Sequence, residues 1–216
     1  MKKYILIDLD GTIIDSFKGV TGSIKYALES VGVEVENIEE SRKHMGPPLR
    51  YTFKNFWNID GQALELAIGK YRENYISKGM YQHEIYQGIE SMIKKLYKQG
   101  KKLIVATSKQ EEFAKKILEY DGLDKYFIDI CGSSADGSRG AKSDVMKYAL
   151  DKNDITDYKQ VLMVGDRYTD IEGAKTLGIE VVGVLYGYGN EEELKSAGAD
   201  HIVETVKELE ELLLNL

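Results

Sequence analysis

The chain has 216 residues, enough for one large domain or two small ones. Its net charge of −7 argues against a nucleic-acid-binding surface, which is normally basic. A single cysteine, Cys131, excludes an intramolecular disulfide, and no apolar run approaches the roughly 18 residues of a membrane span. Lys2 and Lys3 precede an apolar run, but Asp8 interrupts it, so it does not read as a signal peptide. A cytoplasmic protein with no nucleic-acid or membrane partner is expected.

The apolar, β-branched run Tyr4 to Ile7 predicts a buried strand. It delivers Asp8 and Asp10, which strand alternation would point the same way, and Gly11 then allows a tight turn. Two like charges at the end of a buried strand are costly unless a cation or proton neutralises them. The pair therefore predicts a site that holds a divalent metal.

Val20, Ile24, Leu28 and Val31 recur at helical spacing, with Gly32 as a stop. Residues 34–50 are polar and irregular and hold the only prolines, Pro47 and Pro48, which mark a loop or helix start. Helical spacing returns from Gln62 to Ser77. No strand is predicted between about residues 16 and 82.

The pattern then alternates. A helix through Ile89–Tyr97 precedes a strand at Leu103–Thr107, and a helix through Phe113–Leu118 precedes a strand at Phe127–Cys131. After a Gly/Ser-rich loop come a helix through Val145–Leu150, a strand at Val161–Val164, a helix over Ile171–Leu177 and a strand at Val181–Leu185. Residues 191–197 and 205–214 read as helices. Alternating strands and helices predict an α/β fold, a doubly wound parallel sheet covered on both faces. The first strand needs that sheet. The expected domains are therefore residues 1–15 with 84–216 as the core, and 16–83 as an inserted all-helical domain.

In such sheets ligands bind outside the carboxyl ends of the strands. Those ends carry Asp8 and Asp10; Thr107, Ser108 and Lys109; the loop leading to Lys142; and Gly165-Asp166-Arg167-Tyr168-Thr169-Asp170. Aspartates at 8, 10 and 166 are hard oxygen ligands suited to Mg²⁺. Thr107 or Ser108 can bind a phosphate oxygen, Lys142 can neutralise it, and a carboxylate can serve as nucleophile. Phosphoryl transfer is the chemistry these groups support together. Its uncatalysed hydrolytic form is slow enough to need accelerations up to about 10²¹.

Asp8-Leu9-Asp10-Gly11-Thr12, Ala106-Thr107-Ser108, Lys142 and Gly165–Asp170 match in order the four motifs of the haloacid dehalogenase-like (HAD) hydrolases. The chain resembles that family throughout, and residues 16–83 look like its alpha-helical cap on a Rossmann-like core. The resemblance implies Asp8 as nucleophile and Asp10 as general acid/base, with the Asp10 backbone carbonyl also reaching Mg²⁺. It implies Asp166 as a metal ligand, Asp170 as a ligand or its supporting partner, and Thr107 and Lys142 on the phosphoryl group. Aspartates at 8 and 10 favour a phosphatase over a dehalogenase or phosphonatase. The chain is most similar to the phosphoglycolate phosphatase-like group. There the lysine often precedes a proline, whereas Lys142 precedes Ser143, a variant resembling a bacterial 5′-nucleotidase-like subgroup. The expected ligand is a small phosphate ester, the expected cofactor Mg²⁺, and the expected state a monomer or homodimer. A phosphosugar mutase shares the motifs. A phospho-aspartate receiver module would lack the helical insertion.

Structural roles compete with these readings. Asp166 or Asp170 could cap a helix beginning near Ile171. Gly140-Ala141-Lys142-Ser143 lacks the adjacent Gly-Lys of a P-loop. His44, His83 and His201 show no ligand spacing, although His44 and Arg50, in the expected cap, are candidates for substrate contact. Cys131 reads as a small buried apolar residue, and Tyr71 and Tyr75 as packing residues.

Overall fold

The computed structural model describes residues 2–35, 38, 45 and 49–216. The chain forms two compact units, Met1–Ile14 with Ile85–Leu216, and Asp15–Glu84. The chain leaves strand β1 (Tyr4–Ile7), passes out through β2 (Ile14–Asp15) and returns through β3 (Glu84–Ile85), and these two short strands form a two-stranded sheet.

The smaller unit contains helices α1 (Phe17–Ser30), α2 (Leu49–Trp57) and α3 (Gly61–Ser77). Its apolar stripes meet in a core of Ile24, Ala27, Leu28, Phe53, Leu64, Ala67 and Ile68. Tyr71 and Tyr75 stack at a centroid distance of 5.4 Å, and Tyr75 is buried, which is the packing role expected of them. Among the described residues between Ser16 and His83 there is no strand. Helix α2 starts just after the prolines that mark a loop or helix start, but its extent has no periodic signal, because it is short and only Thr52 and Phe53 are buried along it. Pro47 and Pro48 lie outside the described residues.

The larger unit continues with α4 (Ile89–Lys98), β4 (Lys102–Gln110), α5 (Glu111–Tyr120), β5 (Phe127–Ser133), α6 (Lys142–Lys152), β6 (Val161–Gly165), α7 (Tyr168–Thr176), β7 (Glu180–Val184), α8 (Glu191–Ser196), β8 (His201–Val203) and α9 (Val206–Asn215). Six strands run parallel in the order β5-β4-β1-β6-β7-β8. The sheet is doubly wound. From β1 the chain steps outward through β4 and β5, then crosses back to β6 and steps the other way. The order reverses beside β1, the place where such sheets open a crevice at their carboxyl ends.

β1 is central, pairing Ile5–Ile7 with Leu103–Val105 on one side and Leu162–Val164 on the other. On one face Leu6, Ile104 and Met163 pack against Val145, Met146, Ala149 and Leu150 of α6 and Ile171 and Ala174 of α7. Alternate residues Ile5, Ile7, Val105 and Val164 point to the other face and are equally buried, as are Ile89, Met92, Ile93 and Leu96 of α4. Burial on both faces explains why the strands read as unbroken apolar runs. Each such side chain contributes about 1.5–3 kcal/mol.

Two of the boundaries that differ from the sequence reading bear on the site. β4 runs on to Gln110, carrying Thr107–Lys109 inside the strand. Helix α7 begins at Tyr168 rather than near Ile171, because Asp170 closes its first turn from within: its Oδ2 accepts the Arg167 N–H at 3.1 Å. β8, three residues at a sheet edge, was too short to announce itself.

Candidate active site

The site is built where the strands end. The Asp8 N–H still donates to the Val164 carbonyl at 2.9 Å, the last rung beyond β1. Asp8 is buried, and its Oδ1 accepts the Leu9 N–H at 2.8 Å and meets Lys142 Nζ at 2.9 Å. The chain then folds back on itself, with the Ile13 and Ile14 N–H groups both donating to the Leu9 carbonyl. Gly11 sits in this turn at φ +81, and a Cβ there would fall on the Asp166 carboxylate. The turn delivers Thr12, whose buried Oγ1 donates to Asp166 Oδ1 at 3.2 Å.

Asp166 follows β6 and is fully buried. Its Oδ2 accepts the Tyr188 N–H at 2.8 Å. Gly187 and Gly189 let that segment lie directly on Asp166, since a Cβ at either would overlap it. The Tyr186 hydroxyl donates to the Thr12 carbonyl at 3.1 Å, and its ring packs edge-on against Tyr86 at 5.0 Å. Both Asp166 oxygens are thus held by neutral donors.

Lys142 opens α6 and is buried. Its Nζ lies 2.9 Å from Asp8 Oδ1 and 2.7 Å from Asp170 Oδ1, and donates to the Ala106 carbonyl at 3.3 Å. Gly173 permits the close approach of α7, for a Cβ there would stand 3.2 Å from Lys142 Cβ. The loop before Lys142 is pinned by Arg139. Its Nε donates to the Gly132 carbonyl at 2.7 Å, its Nη2 meets Glu111 at 3.0 Å, and its guanidinium stacks 3.7 Å from the Tyr148 ring centroid.

Burial pushes the Asp8 carboxyl up to about 6, with Lys142 opposing and Asp170 reinforcing the shift. Burial, then the Asp170 and Asp8 charges, raise Asp166 well above the ordinary carboxylate range. Burial works against the Lys142 charge, but Asp170 and Asp8 outweigh it and hold its ammonium above the usual lysine range. Asp8, Asp166 and Asp170 each offer an oxygen within 4.8 Å of the others. One lysine cannot neutralise three buried carboxylates. The raised carboxyls of Asp8 and Asp166 and the all-oxygen donor set of the three fit a hard divalent cation.

Of the residues singled out in the sequence, the structure brings Asp8, Lys142, Asp166 and Asp170 together. Thr107 is buried within the neighbouring strand β4, where its hydroxyl accepts the Lys109 N–H at 3.2 Å, and Ser108 beside it is half-buried. Asp10 is placed differently from Asp8: its Oδ1 pairs with Lys109 Nζ at 3.0 Å, outside the three-carboxylate cluster, while its charge still acts on Asp8. β1 ends at Ile7, so strand alternation no longer governs Asp10.

Arg50 lies in the smaller unit and makes a bidentate, exposed pair with Glu65 at 2.5 and 3.0 Å. His44 lies outside the described residues. His83 Nδ1 is 2.9 Å from the Met80 carbonyl and His201 Nε2 is 2.8 Å from Glu180, both packing roles. Burial pushes the Cys131 thiol up to about 12, which leaves it inert. Sequence reasoning missed the parts played by Lys109, Thr12 and Tyr186. Lys109 was visible as a basic residue at a strand end. Thr12 and Tyr186 meet across 174 residues, and nothing local signals it. Among the described residues no helix is long and apolar enough to cross a membrane.

Comparison with known proteins places this geometry. The family model for haloacid dehalogenase-like hydrolases matches residues 5–184. The chain is 34% identical to a 5′-nucleotidase of Pseudomonas aeruginosa over 97% of this chain and 94% of that one. It is 35% identical to the tyrosine-protein kinase PtkA of Mycobacterium tuberculosis, over 97% of this chain and 72% of that one. The crystal structure of a predicted phosphatase from Clostridium acetobutylicum superposes with a TM-score of 0.95 at 42% identity, over the whole of both chains. With its motifs at the matching strand ends, the chain belongs to the haloacid dehalogenase-like hydrolases.

Proposed function

We propose that the chain is a Mg²⁺-dependent phosphomonoesterase that acts through an aspartyl-phosphate on Asp8. The observation that carries this reading is the Lys142 ammonium bridging Asp8 and Asp170 beside the buried Asp166. Asp8 attacks the phosphorus in line, and the ester P–O bond breaks. Asp10 gives its proton to the departing alkoxide. Asp10 then takes a proton from water as that water attacks the phosphorus, which releases phosphate and restores Asp8. Lys142 and Thr107, with Ser108, hold the phosphoryl oxygens. Lys142 also fixes the orientation of Asp8. Asp8, Asp166 and Asp170, with the Asp10 backbone carbonyl, would hold Mg²⁺. When bound, the ion supplies positive charge to the phosphoryl oxygens.

The substrate is a small phosphate ester. Phosphoglycolate is one reading, and the 5′-nucleotidase relative favours nucleoside monophosphates as another. Residues 16–83 act as a cap that selects the leaving group. The net charge argues against a nucleic-acid partner and the single cysteine fits a cytoplasmic compartment, where the chain would act as a monomer or homodimer. The PtkA relative keeps phosphoryl transfer to a protein tyrosine as the rival reading. The test is Asp8→Asn assayed for Mg²⁺-dependent phosphate release from nucleoside monophosphates, phosphoglycolate and an aryl phosphate. Loss of all release, on the order of 10⁴-fold or more, is expected. Release that persists unaltered would sink the mechanism.

A further inference from the structure

Asp10 lies in the turn beyond β1, where no strand dictates its side-chain direction. Beside it, three carboxylates gather into one cluster that could hold a cation. A fourth carboxylate free to rotate would be drawn to the same cation. It would then be lost to the leaving group. Lys142 cannot restrain it, because its Nζ is already taken by Asp8, Asp170 and the Ala106 carbonyl.

Lys109 Nζ, in contrast, stands 3.0 Å from Asp10 Oδ1, with the lysine side chain 7% exposed and the aspartate side chain 24% exposed. A pair this poorly hydrated is little screened by salt. Its aim is built into β4. The register against β5 shifts between Ala106 and Gln110, an irregularity of the kind that redirects side chains next to active sites. The Lys109 N–H is fixed on Thr107 Oγ1 within that stretch.

We infer that Lys109 is a positioning residue that holds the Asp10 carboxylate out of the metal cluster and toward the departing oxygen. The inference rests on the role proposed above for Asp10. Lys142 and Lys109 then divide the work, one holding the nucleophile and the other the proton carrier. Removing the Lys109 ammonium leaves Asp8, Asp166 and Asp170 with their own partners but lets Asp10 stray.

The consequence depends on the leaving group. A nitrophenolate departs without protonation, whereas an alkoxide needs it. The quantity to read is kcat/KM, which covers only the steps through departure of the alcohol. Lys109→Met is expected to lower kcat/KM for an alkyl phosphate by about 10²-fold, within the usual worth of general acid catalysis, and that for 4-nitrophenyl phosphate only a few-fold. Lys109→Arg, which keeps the charge, should recover most of the alkyl phosphate rate. Asp10→Asn is run in parallel. Should Lys109→Met lower the melting temperature markedly, Lys109→Gln, which keeps a polar tip, is read in its place. An equal loss on both substrates for the lysine variant, with Asp10→Asn still selective, overturns the positioning role alone. If Asp10→Asn shows no selectivity, the proton-transfer reading fails and the inference falls with it.

Discussion

The carboxyl edge of the large sheet and the helical unit Asp15–Glu84 handle charge in opposite ways. At the sheet edge Asp8, Lys142, Asp166 and Asp170 are all buried, each with at least two polar partners. Among the described residues of the helical unit, the buried polar groups are hydroxyls, such as Thr21 and Ser23, whose partners include carbonyls one turn back. Its charged pairs, Arg50–Glu65, Lys54–Asp60 and Lys70–Glu73, sit largely in solvent. Burying charge is costly, and apolar replacements of buried ion pairs are often as stable or more so. Charge retained inside one region and kept outside the other separates chemistry from packing. The first region is built around buried charged groups, and the second around an apolar core with its charges at the surface.

The largest way to break this contrast is Lys142→Met. It strands Asp8 and Asp170 without their buried cation, so a loss of about 3–5 kcal/mol is expected, together with loss of turnover. Denaturant unfolding in the absence of metal reads it. A smaller effect follows from pH. Asp8 and Asp166 both titrate above their ordinary value of 3.8 in the folded chain. Their contribution to stability is therefore fully present below that value and is lost as pH rises, through about 6 for Asp8. The metal-free protein should lose this stability toward neutral pH. Mg²⁺ should raise the Tm more at neutral pH than at about pH 5. Asp166→Asn should flatten both responses in a calorimetric pH series.

The smallest effect is expected outside the sheet edge. Arg50→Ala removes an exposed pair and should leave the Tm unchanged within error. Its turnover of 4-nitrophenyl phosphate should also match wild type. A Tm loss on the scale of Lys142→Met would erase the distinction between the two regions.

The same contrast decides what could be read from sequence. β1, β4 and β6 are buried on both faces, so their apolar runs stand out, and the polar groups after them have no packing reason to be there. That made Asp8, Thr107 and Asp166 legible, while Lys142 was marked by the long Gly/Ser-rich loop before it. Asp170 was legible only as a choice between cap and ligand, and in the structure its two oxygens serve both Arg167 and Lys142. The side-chain direction of Asp10 was not legible, because it depends on Lys109, a residue 99 positions away on another strand. The support of Asp166 by Thr12 and the Tyr186–Gly189 segment is likewise a product of chain crossing, which no local pattern encodes. In the helical unit, α2 carries too short an apolar stripe to be told from a loop.

The central claim is that Asp8 takes the phosphoryl group and Asp10 moves the protons. Asp10→Asn mixed with 4-nitrophenyl phosphate and Mg²⁺ tests it most directly, since that leaving group needs no acid while hydrolysis of the intermediate needs the base. The account predicts a burst of one nitrophenolate per enzyme, near-arrest afterwards, and a phosphoryl group on the peptide that contains Asp8. Steady turnover without a burst, or a phosphoryl group on any other residue, would contradict it.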